Sequence, residues 1–293
     1  MSRGPRTTPG GARIAFVTWH GLPGLSADDR LAAAAVAARG AGVEPAVWDD
    51  PGVDWPRYDA VVVRSTWDYH HRPAQFLQWI ARLEAAGVPV WNPPALLRWN
   101  LDKRYLAELG GQGVVVVPTL TVPHGSETSL PAALASAGWD AAVVKPAVSA
   151  SAHETWRTSR TRAELDAARF AALVRAGEVL VQPYLAAIEQ GEWSLCFLGG
   201  RYSHAVLKRP RRGDFRVQSE LGGEVLLARP EPGLVARAEE VVARLPAPWL
   251  YARVDACEVD GALVLMELEL IEPTLFFHAD PSAPARFAEA LPA

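Results

Sequence analysis

Apolar and polar positions in this chain fall into short blocks, and the blocks predict alternating strands and helices. In roughly the first hundred residues, β-type apolar runs occupy 13–19, 43–48, 60–64 and 88–91. Between them lies an Ala-rich stretch ending near residue 39, which Ser26 or Asp28 can cap, and a stretch over 73–86 that Pro73 can open. This β-α-β order predicts an open parallel sheet. Asn92-Pro93-Pro94 breaks the pattern. A helix over 100–109 is expected next, then an extended run through 122, a helix over 130–137, a strand at 143–145, a helix over 162–174 capped by Thr161, and a strand at 179–182. That is a small α+β unit. From 182 onward strands dominate, at 193–198, 202–208 and across 251–269, with helices over 232–243 and 284–290.

The last strand block, YARVDACEVDGALVLMELE at 251–269, carries the most chemistry. Asp260-Gly261 reads as a two-residue hairpin turn. Side chains alternate faces along a strand, so Glu267 and Glu269 point the same way. With Val259 and Ala262 flanking the turn, Asp255 falls opposite Met266 or Glu267, a one-residue difference in register. Three carboxylates converging beside Leu263, Leu265 and Leu268 would repel one another and be costly to desolvate. A divalent cation removes that cost, and an oxygen-only ligand set suits Mg2+, which keeps waters and phosphate oxygens in its shell. The hairpin therefore suggests a Mg-nucleotide site. The plainer reading is a solvent-facing strand edge.

Bulk properties narrow the classes. The 293 residues are 49% apolar and 21% charged, which fits a globular chain with a large core and about two domains. The net charge of −4 argues against a general nucleic-acid binder. Cys196 and Cys257 sit in apolar strand-like runs and read as buried thiols in a reducing compartment. No apolar run reaches ~18 residues, so no membrane span is expected. Residues 1–11 contain Arg3 and Arg6 without an apolar segment behind them, which reads as a disordered tail rather than a signal peptide. The expected location is the cytoplasm.

Two further segments support a nucleotide. Lys103 lies in WNLDKRYL, and Lys145 ends a strand in AAVVKPAVSASAHETW. A lysine ending a buried strand before a small-residue loop can reach a phosphate as a point charge. In residues 147–152 the backbone can approach a ligand closely, and Ser149 and Ser151 are the loop's hydroxyl groups. In VQPYLAAIEQGEWSL the chain leaves a strand at Pro183, which frees the donor and acceptor a purine edge needs, and Glu192 can accept from ribose hydroxyls.

Lys103, Lys145, the 182–185 hinge, Glu192, the basic run LKRPRRGDFR and Asp255 with Glu267-x-Glu269 occur in the order typical of the ATP-grasp superfamily. Residues 100–274 resemble the ATP-grasp fold of glutathione synthetase and D-alanine–D-alanine ligase, and the N-terminal sheet resembles the pre-ATP-grasp domain before it. The similarity is nearest to the subfamily of the cycloserine-forming cyclo-ligase, through RSTWDY at 64–69, WNLDKRYL at 99–106 and VVKPAVSAS at 143–151. The resemblance implies a pre-ATP-grasp domain at 12–98, a small lid subdomain at 99–182 and a C-terminal nucleotide- and metal-binding subdomain at 183–293. It implies that Lys103 and Lys145 hold the ATP phosphates, that Gln182, Tyr184 and Leu185 hold adenine (the last two by backbone groups), and that Glu192 binds ribose. Asp255, Glu267 and Glu269 would bind two Mg2+ ions, and Lys208 and Arg216 would face the γ-phosphate and an acyl phosphate. Arg253, on the face of Asp255, joins them as a catalytic candidate, either binding a substrate carboxylate or neutralising the metal ligands. The sequence departs from the family twice: residues 147–153 contain no glycine where the lid usually has several, and Glu269 stands where glutathione synthetase has asparagine.

The activity implied is ATP- and Mg2+-dependent, ADP-forming carboxylate–amine ligation of a small amino-acid-like substrate, in antibiotic biosynthesis, with cyclisation as the leading form. A dipeptide or amino-acid ligase of secondary metabolism and a catalytically inactive nucleotide-binding regulator are the alternatives. A Rossmann oxidoreductase is disfavoured, because no G-x-G-x-x-G follows the first strand. A homodimer or tetramer is expected from relatives. Ligands of open α/β sheets bind beyond the carboxyl ends of strands, so Arg64, Ser65, Thr66 and Asp68 are expected to contact the substrate's carboxylate and amine, while Trp67 and Tyr69 read as packing.

Overall fold

The computed structural model describes residues 11–211, 213–218 and 221–291. Residues 1–10 of the expected N-terminal tail at 1–11, and Arg212 of the basic run, lie outside these residues. Among the described residues the strands form three sheets. The first contains β1 (Arg13–Thr18), β2 (Gly42–Val47), β3 (Ala60–Val63) and β4 (Val90–Trp91) in the order β2-β1-β3-β4, all parallel. Helix α1 (Ala27–Ala38) begins at Ser26, whose Oγ accepts from the Asp29 amide at 2.9 Å. Helix α2 (Pro73–Ala85) buries Phe76, Trp79, Ile80 and Leu83 against Trp48, Val61 and Val63 on one face of the sheet. The other face is covered by α1 and by the final helix α8 (Ala283–Ala290), whose Phe287 meets Phe16 edge-on at 6.0 Å. Cover on both faces is why these strands read as unbroken apolar runs.

The expected helix at 100–109 is instead two helices, α3 (Pro94–Asn100) and α4 (Tyr105–Gly111). Pro94 supplies a preset first turn to α3. The chain then leaves helical geometry so that the Lys103 amide can bond to Ala147 O at 2.9 Å. The extended run that follows is regular only at β5 (Leu120–Val122), although Val117 and Val115 exchange backbone bonds of 2.9 Å with Leu265. Helix α5 (Leu130–Ala137) and helix α6 (Ala163–Ala176) cover a second sheet of β5, β6 (Ala141–Pro146), β7 (Trp156–Ser159) and β8 (Val179–Pro183), ordered β5-β8-β6-β7 and antiparallel. Thr161 does not cap α6, since Arg162 precedes the helix and no side chain bonds to its first amides. Strand β7 was not expected, because WRTS is short and polar; only Trp156 and Thr158 turn inward.

The third sheet is antiparallel, in the order β11-β10-β9-β12-β13, built from β9 (Glu192–Leu198), β10 (Arg201–Arg209), β11 (Glu224–Leu227), β12 (Tyr251–Val259) and β13 (Ala262–Glu269). The short edge strand β11 was also unanticipated. Helix α7 (Pro232–Val242) packs Leu234, Ala238 and Val241 into the core beneath this sheet. The turn between β12 and β13 has positive φ at Asp260 and Gly261, 50° and 73°, as a two-residue hairpin of this hand requires.

Buried amides join the first and third sheets. Asn92 Nδ2 donates to Tyr251 O and Leu270 O, both at 2.8 Å, and its Oδ1 accepts from the Leu250 amide at 2.7 Å. Asn100 repeats the pattern one turn away, on Leu268 O at 2.7 Å and the Leu270 amide at 2.8 Å. Asn92→Ala leaves several buried backbone groups unpaired and should lower unfolding free energy by about 3 kcal/mol. A urea-denaturation midpoint equal to wild type would show that apolar packing alone holds the two sheets together.

Candidate functional site

The face of the third sheet that looks toward the other two carries a row of charged side chains. Lys208 on β10 pairs in register with Glu192 on β9, Ser194 on β9 with Asp255 on β12, and Asp255 with Glu267 on β13. The last pairing needs a bulge. Counting back from the turn, Asp255 would meet Met266, but the register shifts between Asp255 and Ala256, leaving Met266 as the extra residue. The bulge aims Glu267 and Glu269 onto the face of Asp255 and Arg253.

These groups line a cavity of about 970 Å3 between the sheets. Lys103, Lys145, Ser149, Ser151, Gln182, Tyr184, Leu185, Glu192, Lys208, Arg216, Arg253, Asp255, Glu267 and Glu269 all reach it. Arg253 binds Asp255 through Nε at 2.9 Å and Nη2 at 2.7 Å, and also pairs with Glu269. Lys208 bridges Glu192 at 2.6 Å and Asp255 at 3.3 Å, and Ser194 Oγ donates to Asp255 at 2.5 Å. Lys103 pairs with Glu267 at 2.9 Å and donates to Ser149 O. Lys145 has no ion pair or side-chain hydrogen bond among the described residues, although it is 9% exposed.

Burial and charge act against each other here. Burial opposes the ionisation of Asp255, but Arg253 and Lys208 outweigh it and hold the carboxyl well below the usual range. Glu269 is not fully compensated: burial, reinforced by Asp255 and Glu267 against the opposing Arg253, pushes it up to about 7. Glu272, also facing the cavity, is raised well above an ordinary glutamate by burial and by Glu269. Burial lowers Lys145, with Lys103 adding to the effect against the pull of Glu267. Carboxylate oxygens that burial drives toward protonation fit a hard divalent cation such as Mg2+. Their oxygens do not themselves form a close-set ligand cluster: among the described residues, the set of three ligand atoms lying within 4.8 Å of one another is His70, His71 and His153.

Beside the charged row is an apolar shelf. Ile188, Met266, Tyr184, Phe215 and Val217 pack together and face the cavity. The Arg157 guanidinium lies 3.6 Å from the centre of the Tyr184 ring. The Tyr184 amide bonds to Ala141 O at 3.0 Å, so of its backbone groups the carbonyl is the one left for a ligand. Gln182 Nε2 donates to Thr119 Oγ1 at 2.9 Å. Arg216 reaches the cavity but is turned onto Asp214, with Nη2 at 2.8 Å, rather than toward the lysines.

The expected substrate contacts are placed elsewhere. Arg64, Ser65, Thr66 and Asp68 do not line the cavity. Arg64 is 2% exposed, bonds Asp29 at 2.8 Å and Pro273 O at 2.9 Å, and lies over the Tyr251 ring at 4.9 Å. Ser65 donates to the same Asp29, Thr66 is buried, and Asp68 accepts from Trp48 Nε1 at 2.8 Å and pairs with Arg72. The carboxyl end of β3 is indeed beside the cleft, but Asp29 of α1 takes up the guanidinium. Trp67 and Tyr69, expected as packing, line the cavity together with Asp28, His70, His71, His153 and Glu272. Sequence reasoning passed over these. Glu272 could have been found, since it follows Glu267 and Glu269 in MELELIEP; the histidines come together only through tertiary contact. Arg64→Lys should therefore destabilise the fold by about 3 kcal/mol, as breaking a buried pair does. Substrate KM should stay near wild type; a large KM rise without a stability loss would restore the substrate role.

Comparison with known proteins gives a consistent picture. The family model for the N-terminal domain of D-cycloserine synthetase DcsG matches residues 14–92. The cycloserine biosynthesis protein DcsG of Streptomyces lavendulae is 35% identical over 260 residues, 83% of this chain and 86% of that protein. The crystal structure of D-cycloserine synthetase DcsG superposes with a TM-score of 0.85 at 33% identity, over 95% of this chain and 98% of that one. D-alanine–D-alanine ligase from Bacillus anthracis, complexed with ATP, shares the fold at a TM-score of 0.67 and 15% identity, over 96% of each chain.

Proposed function

The chain belongs to the DcsG family of ATP-grasp ligases, and from that premise we propose that it is an ATP- and Mg2+-dependent ligase that activates the carboxylate of a small amino-acid-like substrate and closes it onto its own nitrogen, as in cycloserine formation. The observation that carries the reading is the cavity itself. It sets the carboxylates of β12 and β13 beside Lys103, Lys145 and Lys208, next to an apolar shelf. Lys145 supports it further, as a largely buried cation at the cavity with no ion pair among the described residues.

In this proposal Ile188, Met266 and Val217 take the adenine ring, with the Tyr184 carbonyl and Leu185 backbone on its polar edge. Glu192 accepts from ribose once Lys208 turns toward the phosphates. Lys103 and Lys145 hold the phosphate chain, and the backbone of 147–152, with Ser149 and Ser151, closes over it. Asp255, Glu267 and Glu269 hold Mg2+, two ions in this proposal, which would neutralise charge on the phosphoryl oxygens. Lys208 and Arg253 stabilise the negative charge that develops as the γ-phosphoryl group passes to the substrate carboxylate, and Arg216 joins them if the segment around Asp214 swings inward. The resulting acyl phosphate is attacked by the substrate nitrogen, and phosphate leaves. The cavity's contribution is mainly position and charge. The division at 12–98, 99–182 and 183–293 is proposed with it, each part carrying one sheet. No helix among the described residues is long and apolar enough to cross a membrane.

Turnover with MgATP and an amino-acid-like substrate should release ADP and phosphate, read by chromatography of the spent nucleotide. Glu267→Gln should abolish that turnover and leave the fold intact. AMP as the product, or no nucleotide turnover with any amino-acid-like substrate, would overturn the reading. Lys145→Ala should weaken ATP binding by about 1.5–3 kcal/mol, tenfold or more, with little loss of stability. Calorimetric affinity within about twofold of wild type would leave Lys145 as a strand terminus only.

A further inference from the structure

Three histidines stand apart from the carboxylates and lysines at the same cavity. His70 and His71 belong to the single helical turn Tyr69–His71 after β3, and His153 lies in the loop between β6 and β7. The ring centroids of His70 and His71 are 4.0 Å apart, those of His70 and His153 5.1 Å, and those of His71 and His153 4.7 Å. One ring nitrogen from each lies within 4.8 Å of the other two. The turn and the loop belong to different sheets and are about eighty positions apart in the chain, so sequence proximity does not account for the cluster.

The chemistry of the trio is that of a ligand set. Three imidazoles gather only when they are neutral or when a bound group pays for their repulsion. The His70 ring is the least exposed of the three and packs against both of the others. Among the described residues, His70 Nδ1 is buried without a hydrogen-bond partner. Nitrogen-only ligation suits zinc and its neighbours in the first transition row and does not suit Mg2+. A tetrahedral ion with bonds of about 2.0–2.1 Å needs its nitrogens roughly 3.3 Å apart. His71 and His153 are exposed, so their rings can rotate the remaining distance. The loop has its own need for a tether. Ser151, Ala152 and Glu154 hold φ of 51°, 54° and 50°, a conformation side chains of this kind rarely adopt without support.

We propose that His70, His71 and His153 bind one divalent transition-metal ion of the zinc class, and that this ion ties the β6–β7 loop to the N-terminal sheet across the mouth of the cleft. Three protein ligands leave a fourth position open toward the cavity, for water or an anionic oxygen of whatever the cleft holds. The site is independent of the ligase reading, since it concerns the protein without nucleotide.

The test uses the full chain, stripped with a chelator and kept in excess Mg2+ so that the carboxylates are occupied. Co2+ and Zn2+ are then titrated in. One ion per chain is expected, with visible Co2+ bands of a nitrogen-ligated site that one equivalent of Zn2+ removes. His71→Ala and His153→Ala should each weaken binding by at least about tenfold while keeping the metal-free melting temperature. Zinc should also slow hydrogen exchange over residues 150–155 in the wild-type chain. Absence of binding below millimolar Zn2+, or affinity within about twofold of wild type in both variants, would overturn the site. Binding without slower exchange in that loop would overturn the tether.

Discussion

The cleft is governed by the cost of burying carboxylates. Asp255, Glu267 and Glu269 are brought to one face of an antiparallel hairpin, where the same low-dielectric surroundings that sharpen an ion pair also penalise any charge left without one. Arg253 and Lys208 satisfy Asp255, and Lys103 satisfies Glu267. Glu269 must share Arg253, and Glu272 faces the cavity with no cation bonded to it among the described residues. The protein alone therefore holds more acid than it can keep ionised. In the proposed site an incoming cation would relieve the carboxylates and free the lysines that neutralise them for phosphate, so that metal and polyanion would each ease the binding of the other by taking over its provisional partner.

That arrangement requires three sheets to meet at fixed positions. The carboxylates come from the third sheet, Lys145 and the 147–154 loop from the second, and Trp67, Tyr69 and the two histidines from the first. Asn92 and Asn100 lock the first and third together through main-chain bonds that no apolar contact could replace. Tyr251 adds a bond to Ile271 O at 2.9 Å while its ring supports Arg64. The second sheet is joined through the Lys103–Ala147 bond, through Lys103 Nζ on Ser149 O and through the Arg104–Glu178 pair at 3.3 Å, and it carries the 147–154 loop to the rim of the cavity.

The parts of this design that follow local rules were legible in the sequence. Alternation and the Asp260-Gly261 turn located the hairpin, the end of a strand pointed to Lys145, and the family resemblance pointed to Lys103 and Lys208; all three reach the cavity. The parts set by tertiary contact were not legible. The bulge at Met266 decides between two registers that the alternation permits equally. Arg64 sits where strand-end rules place a ligand contact, but Asp29, 35 positions earlier on a helix, captures it. The helix over 100–109 failed because Lys103 is drawn out of helical geometry by a bond to Ala147, a partner more than forty positions away. The histidines gave no signal, since neither HH nor a single His in a loop has a spacing that marks a metal.

The glycine-poor loop brings these threads together. Residues 147–153 lack the glycines expected of a cover over phosphates, yet Ser151 and Ala152 still adopt left-handed geometry. The conformation that glycine would take freely is here held against its side chains, at a cost of about 1 kcal/mol or more for each residue. Such a conformation persists only when contacts around the loop offset its cost. Lys103, bonded to both Ala147 through its amide and Ser149 O through its amine, supplies part of it from below. The histidine trio meets the same loop from the opposite rim, so a metal bound there, as proposed, would support from outside a conformation that the loop's own residues do not favour.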